Sequence, residues 1–347
     1  MHIVQVTPAY PPSTGGVETH VEAISTRLVE RGHDVTVISA DHGVGNARER
    51  RDGVEVIRCR GFTPGGAYHV SPGIWQAVRR LSADVVHAHN YHSLTLPAAA
   101  LGVGDARFVV TPHYHGGSES SFRDRLLGLY APVGGRVLRR ADDVIAVSEW
   151  EREQLAEDFG VDATVIPNGI EVERFADAEP YNHDRPYLLC VGRMEEYKGV
   201  QHVIRALPEL PDYDLLVAGS GPYREDLERI AAEEGVDDRV EFLGYVDDEE
   251  LPGLYAGADV FVTLSEFEAF GMTVGEALAA GTPCVVREAG ALVDWTTNRG
   301  VTDVSSVTPD SVVDAVRESL SVETRSIQSW EEVVGSISAL YSDSYSS

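Results

Sequence analysis

Three observations predict two α/β domains, each a doubly wound parallel sheet. Short apolar runs of strand type alternate with helical stretches along the whole chain, a pattern that calls for parallel strands covered by helices on both faces. The alternation breaks once, at a polar interval, and then starts again. At 347 residues the chain exceeds what one core usually holds.

The first series of strands reads "HIVQVT", "DVTVIS", "VEVIR", "ADVVHAH", "RFVVTPH", "DDVIAVS" and "ATVIPNG". Between the first two, "VETHVEAISTRLVERG" is helical, with Gly32 as its C-terminal stop. The interval "IEVERFADAEPYNHDRP" (170–186) carries proline, asparagine and several acids without periodicity, so the domains join near residue 170. The second series runs through "YLLCVGR", "YDLLVAGSG", "RVEFLGYV", "DVFVTLS" and "TPCVVRE". In the terminal stretch "SIQSWEEVVGSISALYSDSY", Trp330, Val333, Val334, Ile337 and Leu340 share one helical face.

Composition narrows the function classes. The chain has 28 basic residues against 56 acidic ones, a formal charge of −28, and only Lys198 among the basic residues is a lysine. Such acidity, with arginine in place of lysine, suggests a halophilic, salt-adapted protein, and it argues against a nucleic-acid partner. Residues 1–170 hold 16 Arg against 20 acids, whereas residues 171–347 hold 12 basic residues against 36 acids. No apolar run reaches the ~18 residues that span a bilayer. The opening "MHIVQVTPAY" has no basic n-region or small-residue cleavage site, so a cytoplasmic location is expected. Cys59, Cys190 and Cys284 are odd in number and far apart, which implies neither a metal spacing nor a disulfide framework.

Ligands of open α/β sheets sit beyond the carboxyl ends of strands, so the loops after the strands hold the candidates. "TPAYPPSTGGVETH" places Gly15–Gly16 before the first helix, either as a flexible turn or as a close backbone approach to phosphate. It is not the dinucleotide fingerprint, because the third glycine is missing. "VTPHYHGG" carries His113 and His115, either as capping or surface groups or as part of a site. No acidic cluster accompanies them, so no metal site is expected. "GRMEEYKG" sets Arg193 and Lys198 after a strand in the acidic half. A guanidinium fork with a compact ammonium suits a diphosphate. "SEFEAFGMTVGEALAAGTP" spaces Glu268 and Glu276 by seven residues, with Gly271 opening a helix. Glu276 lies one turn inside that helix, where a carboxylate accepts from a ribose diol.

With these motifs in this order the chain resembles a retaining glycosyltransferase of family 4, with the GT-B fold of two Rossmann-like domains facing across a cleft. "PPSTGGVETH", "VTPHYHG", "VIPNGIEVERF", "VGRMEEYKGV", "VAGSGPYREDLE", "EFLGYV" and "EFEAFGMTVGEALAAGTP", the EX7E motif, carry the resemblance. It implies an acceptor-side domain over 1–170, completed by a terminal helix within 327–347, and a nucleotide-sugar-binding domain over 171–326. It implies catalytic roles for Glu268, His113, Arg193 and Lys198. Donor binding falls to Gly16, Arg193, Lys198, Gly219, Gly221, Tyr245, Val246, Phe270, Gly271, Met272 and Glu276. Asn168–Gly169 marks the hinge.

The expected reaction moves a hexose from a UDP- or GDP-sugar to a glycan or lipid-linked acceptor. No cofactor or metal is required, because Asp142–Asp143 and Asp237–Asp238 lead into strands instead of following them. The alternatives are a non-hydrolysing sugar-nucleotide epimerase, against which the EX7E motif speaks, and a non-catalytic nucleotide-sugar-binding partner. The pattern departs from the family at "REAGALVDWTTNRG", where Asp294 stands near the place of a donor-facing Glu, and across 296–326. "HYHGG" also lacks the acid that often follows the histidine. Within 122–140, Arg123, Arg125, Arg136, Arg139 and Arg140 interleave with Leu126, Leu127, Leu129 and Tyr130: either an interfacial helix in peripheral contact with an anionic membrane, the reading favoured, or apolar residues packed in the domain with solvated arginines.

Overall fold

The computed structural model describes residues 1–13, 15–41, 47–62, 70–116, 121–319 and 327–342, with backbone alone for residue 41 and residues 121–129. It divides into two compact units, Met1–Gly169 with Trp330–Ser347, and Ile170–Ser329.

In the first unit eight strands form one sheet. They are β1 (His2–Thr7), β2 (Asp34–Asp41), β3 (Ala47–Arg51), β4 (Val54–Arg60), β5 (Val85–His89), β6 (Arg107–Thr111), β7 (Asp143–Ala146) and β8 (Thr164–Val165), in the order β3-β4-β2-β1-β5-β6-β7-β8. All neighbours are parallel except β3, which pairs antiparallel with β4 at the edge. The central strands are buried along both faces, as in β5, where all five residues are buried. That is why they read as continuous apolar runs. The edge strand "ARERR" is mostly exposed and charged, so it carries no apolar signal, and such charge guards an edge against further pairing.

Helix Gly16–Glu30 buries Val21, Ile24 and Leu28 on one stripe, and Gly32 follows its end at φ 84°. The terminal helix Trp330–Ser342 buries Trp330, Val333, Val334, Ile337 and Tyr341. Tyr341 thus completes the face in place of the expected Leu340, which is half-buried. Glu331 at the start of this helix pairs with Arg27 and Arg31 of the first helix, each at 3.2 Å. Residues 170 and 329 pair as an isolated bridge in the second unit.

The second unit holds β9 (Tyr187–Val191), β10 (Asp214–Ala218), β11 (Val240–Gly244), β12 (Val260–Thr263), β13 (Cys284–Arg287) and β14 (Val301–Val304), all parallel, in the order β11-β10-β9-β12-β13-β14. β14 lies in the segment that matched the family pattern poorly. Its core gathers Leu188, Leu215, Val217, Val260, Val262 and Val285 under Val203, Ile204, Leu227 and Val316. All three cysteines are free and buried.

Across 122–140 the backbone is helical from Ser121 to Leu138. Arg123, Arg125, Leu126, Leu127 and Leu129 lie outside the described side chains. Arg136, Arg139 and Arg140 are exposed, whereas Val137 and Leu138 are buried. The Tyr130 ring packs 5.2 Å from that of Tyr91. Among the described residues no helix is long and apolar enough to cross a membrane.

Candidate functional site

In the second unit the strand order reverses between β9 and β12, and a crevice beyond the carboxyl ends at such a switch point is where a doubly wound sheet takes its ligand. The loops that follow these two strands carry Lys198 and Glu268. Lys198 ends the 3-10 turn Glu196–Lys198, and its Nζ lies 2.5 Å from Glu268 Oε1. Gly199, at φ 77°, lets the first loop press on the second: a side chain there would strike the Leu264 carbonyl. The Lys198 and Glu268 side chains keep 22% and 20% of their exposure, so the pair is open on one side to an incoming group. Burial pushes the Lys198 pKa down, but Glu268, Tyr197 and the hydrogen bond to Glu268 more than offset it, and the net shift is upward. The ammonium also stands 5.2 Å from the Tyr197 ring centroid, a cation–π distance.

The other predicted residues fall at different depths. The Arg193 side chain is 72% exposed and pairs with Glu195 at 2.6 Å. The first glutamate of "RMEEYK" is therefore the partner of its arginine. Glu276 lies within helix Met272–Ala279 and accepts a hydrogen bond from the Tyr255 hydroxyl at 2.8 Å. Burial raises its pKa, Tyr255 and Arg174 pull it back, and Asp248 pushes it up again. Phe270 and Gly271 are buried and Met272 is half-buried. Gly271, at φ 87°, packs against Leu292 and Trp295.

The Trp295 indole donates to the Phe270 carbonyl at 2.5 Å, and Ala291 N donates to Glu268 O at 3.0 Å. The divergent segment around Asp294 thus buttresses the EX7E loop from behind, a role that no spacing in the sequence signals.

Gly219 and Gly221 answer to packing. A Cβ on Gly219 would strike the Gly192 carbonyl, and one on Gly221 the Met194 carbonyl, so both glycines seat the β10 loop on the β9 loop. Tyr245 and Val246 line a cleft of about 830 Å³ with Arg174, Tyr181 and Leu243. Tyr245 is 66% exposed, which leaves its ring face free for stacking.

In the first unit Gly16 opens helix Gly16–Glu30 with free space where a side chain would stand. His113 is buried and holds φ 48°, a backbone region that non-glycine residues rarely enter. His115 does not accompany it; that ring stacks on His92 at 4.2 Å. The nitrogens of His113 instead gather with those of His20 and His89, all within 4.8 Å of one another. No spacing in the sequence signals this grouping; among the described residues, these three histidines have the donor set that could hold an ion. Asp142 and Asp143, by contrast, are occupied at the strand starts. Asp142 accepts from Phe108 N at 2.8 Å, and Asp143 pairs with Arg107 at 2.6 Å.

Glu151 went unnoticed in the sequence. "SEWE" has the residues of a capping box, but its glutamate reaches the N–H one residue before the N-cap: Ser148 Oγ accepts from Glu151 N at 3.0 Å, and the Glu151 carboxylate accepts from Val147 N at 2.6 Å and Tyr114 N at 2.5 Å. The last bond anchors the residue after His113. Burial drives the Glu151 pKa up to about 8 against the pull of both N–H groups.

Residues 14–174 match the model of Glycosyltransferase Family 4, and residues 171–329 that of Glycosyl transferases group 1. A GDP-mannose-dependent alpha-(1-6)-phosphatidylinositol monomannoside mannosyltransferase of Mycolicibacterium smegmatis is 33% identical over 343 residues, covering 87% of this chain and 86% of that protein. A glycogen synthase of Mycobacterium tuberculosis is 34% identical over 351 residues, covering 89% and 83%. Among solved structures, sucrose-phosphate synthase from Thermosynechococcus elongatus superposes with TM-score 0.79 at 21% identity over 99% of both chains.

Proposed function

This chain belongs to glycosyltransferase family 4 and is a glycosyltransferase of the GT-B fold, and on that footing we propose that it transfers a hexose from a UDP- or GDP-sugar, with retention and without a metal at the phosphates. The Lys198–Glu268 contact at the switch point carries this reading. The bond between the sugar C1 and the diphosphate breaks, and its electron pair leaves with the nucleotide. Lys198, assisted by Arg193, meets the charge that accumulates there, as preorganised cations do for a leaving group. The acceptor hydroxyl adds from the face the diphosphate vacates, and its proton passes to the departing phosphate.

Glu268 and the backbone of Phe270, Gly271 and Met272 hold the sugar. Glu276 takes the ribose hydroxyls with its remaining acceptor capacity, and Tyr245 and Val246 receive the base. Gly219 and Gly221 shape the loops that bear these groups. In the first unit Gly16 serves the diphosphate and His113 the sugar, with residues 168 and 169 as the hinge. The strand-start carboxylates Asp142 and Asp143 already have partners, which favours protein cations over a carboxylate-bound metal.

A glycan or lipid-linked acceptor, met at the cytoplasmic face of a membrane through the exposed Arg136, Arg139 and Arg140, is supported by the phosphatidylinositol mannoside in the mannosyltransferase relative's name.

The test is calorimetric binding of UDP, GDP and ADP to wild type and Lys198→Ala, with and without Mg²⁺. One nucleotide should bind wild type equally well in both conditions and lose at least tenfold in affinity on the variant. Binding that depends on Mg²⁺, or that ignores Lys198, would refute the proposal.

A further inference from the structure

We propose that His20, His89 and His113 form a buried three-histidine site for a divalent transition-metal ion of the zinc type. The site draws on first-unit residues alone, and an ion on His113 Nε2 would leave only the Nδ1 of that ring for the sugar role proposed above. The three residues come from three elements: His20 from helix Gly16–Glu30, His89 from the end of β5, and His113 from the loop after β6. They are 1%, 0% and 8% exposed, and one nitrogen from each lies within 4.8 Å of the others. Zinc with Zn–N near ~2.05 Å sets tetrahedral nitrogens about 3.4 Å apart, so ring rotations that draw the donors in by about 1.5 Å or less complete the cage.

The hydrogen bonding around the cluster leaves free the lone pairs a metal needs. His89 Nε2 donates to Gln5 Oε1 at 2.8 Å; Gln5 Nε2 donates to the Tyr341 hydroxyl at 3.3 Å; that hydroxyl meets His87 Nδ1 at 2.6 Å; and His87 Nε2 reaches Thr111 Oγ1 at 2.7 Å. The chain of donors is consistent in one direction, with His89 carrying its proton on Nε2. His89 Nδ1 is then a bare lone pair, and it has no partner. His113 Nε2 is likewise buried without a hydrogen bond, and His20, with both nitrogens buried, has the Asn168 side chain as its polar neighbour. Buried polar atoms seldom stay unpaired; each neutral imidazole holds one lone pair, so the three rings offer a metal three donors, and the N–H of His20 is left for Asn168.

Gln5 does for His89 what second-layer partners do for metal-bound imidazoles: it fixes the tautomer and aims the ring. The left-handed backbone of His113 adds a strained position of the sort that ligand clamps retain. Three neutral imidazoles suit zinc, cobalt, nickel or copper and leave a fourth position for water or an anion. Bound there, the ion would staple the first helix and the His113 loop to the middle of the sheet.

The experiment is titration of chelator-treated full-length protein with Co²⁺, followed in the visible spectrum. It is repeated with Zn²⁺ in competition against a chromophoric chelator and completed by X-ray absorption at the zinc edge. The expected result is one ion per chain, a shell of three imidazole nitrogens at ~2.0 Å, and a rise in Tm of about 5 °C or more at a hundredfold excess over Kd. His20→Gln and His89→Gln should lose at least a hundredfold in affinity, and Gln5→Met ten- to a hundredfold. His92→Gln, in the neighbouring stacked pair, should lose nothing. Absence of stoichiometric uptake by folded wild type, uptake that survives both histidine replacements, or a metal shell without three imidazoles would overturn the proposal. The wild-type absorption spectrum decides the matter even if a histidine variant fails to fold.

Discussion

Replacing Glu268 by glutamine should separate two roles that Lys198 holds at once. At 2.5 Å, two unit charges in an effective dielectric of about 20 attract by roughly 7 kcal/mol. Most of that is spent on desolvation, and the remaining exposure of each side chain, 22% and 20%, screens it further. A net coupling of about 1–2 kcal/mol is therefore expected from a double-mutant cycle of Lys198→Met and Glu268→Gln in guanidinium denaturation. Part of it should persist at ~1 M salt, because a half-enclosed pair is screened less than one in open solvent. The same geometry makes Glu268 a competitor of any diphosphate for the ammonium. Glu268→Gln should thus bind nucleotide diphosphate as tightly as wild type, or several-fold more tightly, while sugar transfer falls by at least a hundredfold. Lys198→Met should lose both. Calorimetry and a transfer assay on the four proteins read this directly. Equal loss of nucleotide affinity in the two single variants, or a coupling below ~0.3 kcal/mol, would show that the contact is incidental.

Further outcomes follow from other contacts. Lys198→Arg keeps the charge but must fit a planar fork where a compact ammonium sits against Glu268 and Tyr197, so kcat should drop tenfold or more with folding intact; wild-type kcat would contradict this. Glu151 has its pKa raised to about 8, so its stabilising contribution is complete below the unfolded value near ~4.3 and is lost as pH climbs through 8. Melting curves of Glu151→Gln and wild type from pH 5 to 9 should move in the variant's favour by about 2–4 kcal/mol, and parallel curves would refute the shift. Trp330, 2% exposed and packed with its ring centroid 5.6 Å from that of His20, should cost about 3–5 kcal/mol on truncation to alanine, measured as early loss of the first unit in limited proteolysis.

The parts of the fold that follow from burial were legible. β1, β5, β9 and β12 are buried along nearly their whole length and are largely apolar, so their runs stand out in a linear reading. β3 did not, because an edge strand of "ARERR" satisfies its backbone without offering apolar residues. In the site, Lys198, Glu268 and Glu276 were readable as motif chemistry, since a lone lysine and two spaced carboxylates are local facts. The grouping of His113 with His20 and His89 was not. Those residues are 93 and 24 positions from His113, and only the parallel order of β1, β5 and β6 brings them side by side. Gly219 and Gly221 were conspicuous by residue type, but that their missing side chains make room for neighbouring backbone was not readable, because Gly192 and Met194 lie 27 residues away in the chain.

The crossing points at 169/170 and 329/330 bear on how the protein is made. Synthesis runs from the N-terminal side onward, and units usually fold in the order they emerge. Here the first unit lacks helix Trp330–Ser342 until all of Ile170–Ser329 has been translated. Until then the groove that Trp330, Val333 and Ile337 fill stands open, and His87 and Gln5 wait without the Tyr341 hydroxyl they share. Of the two units, the one whose synthesis starts earlier is therefore the later to be completed.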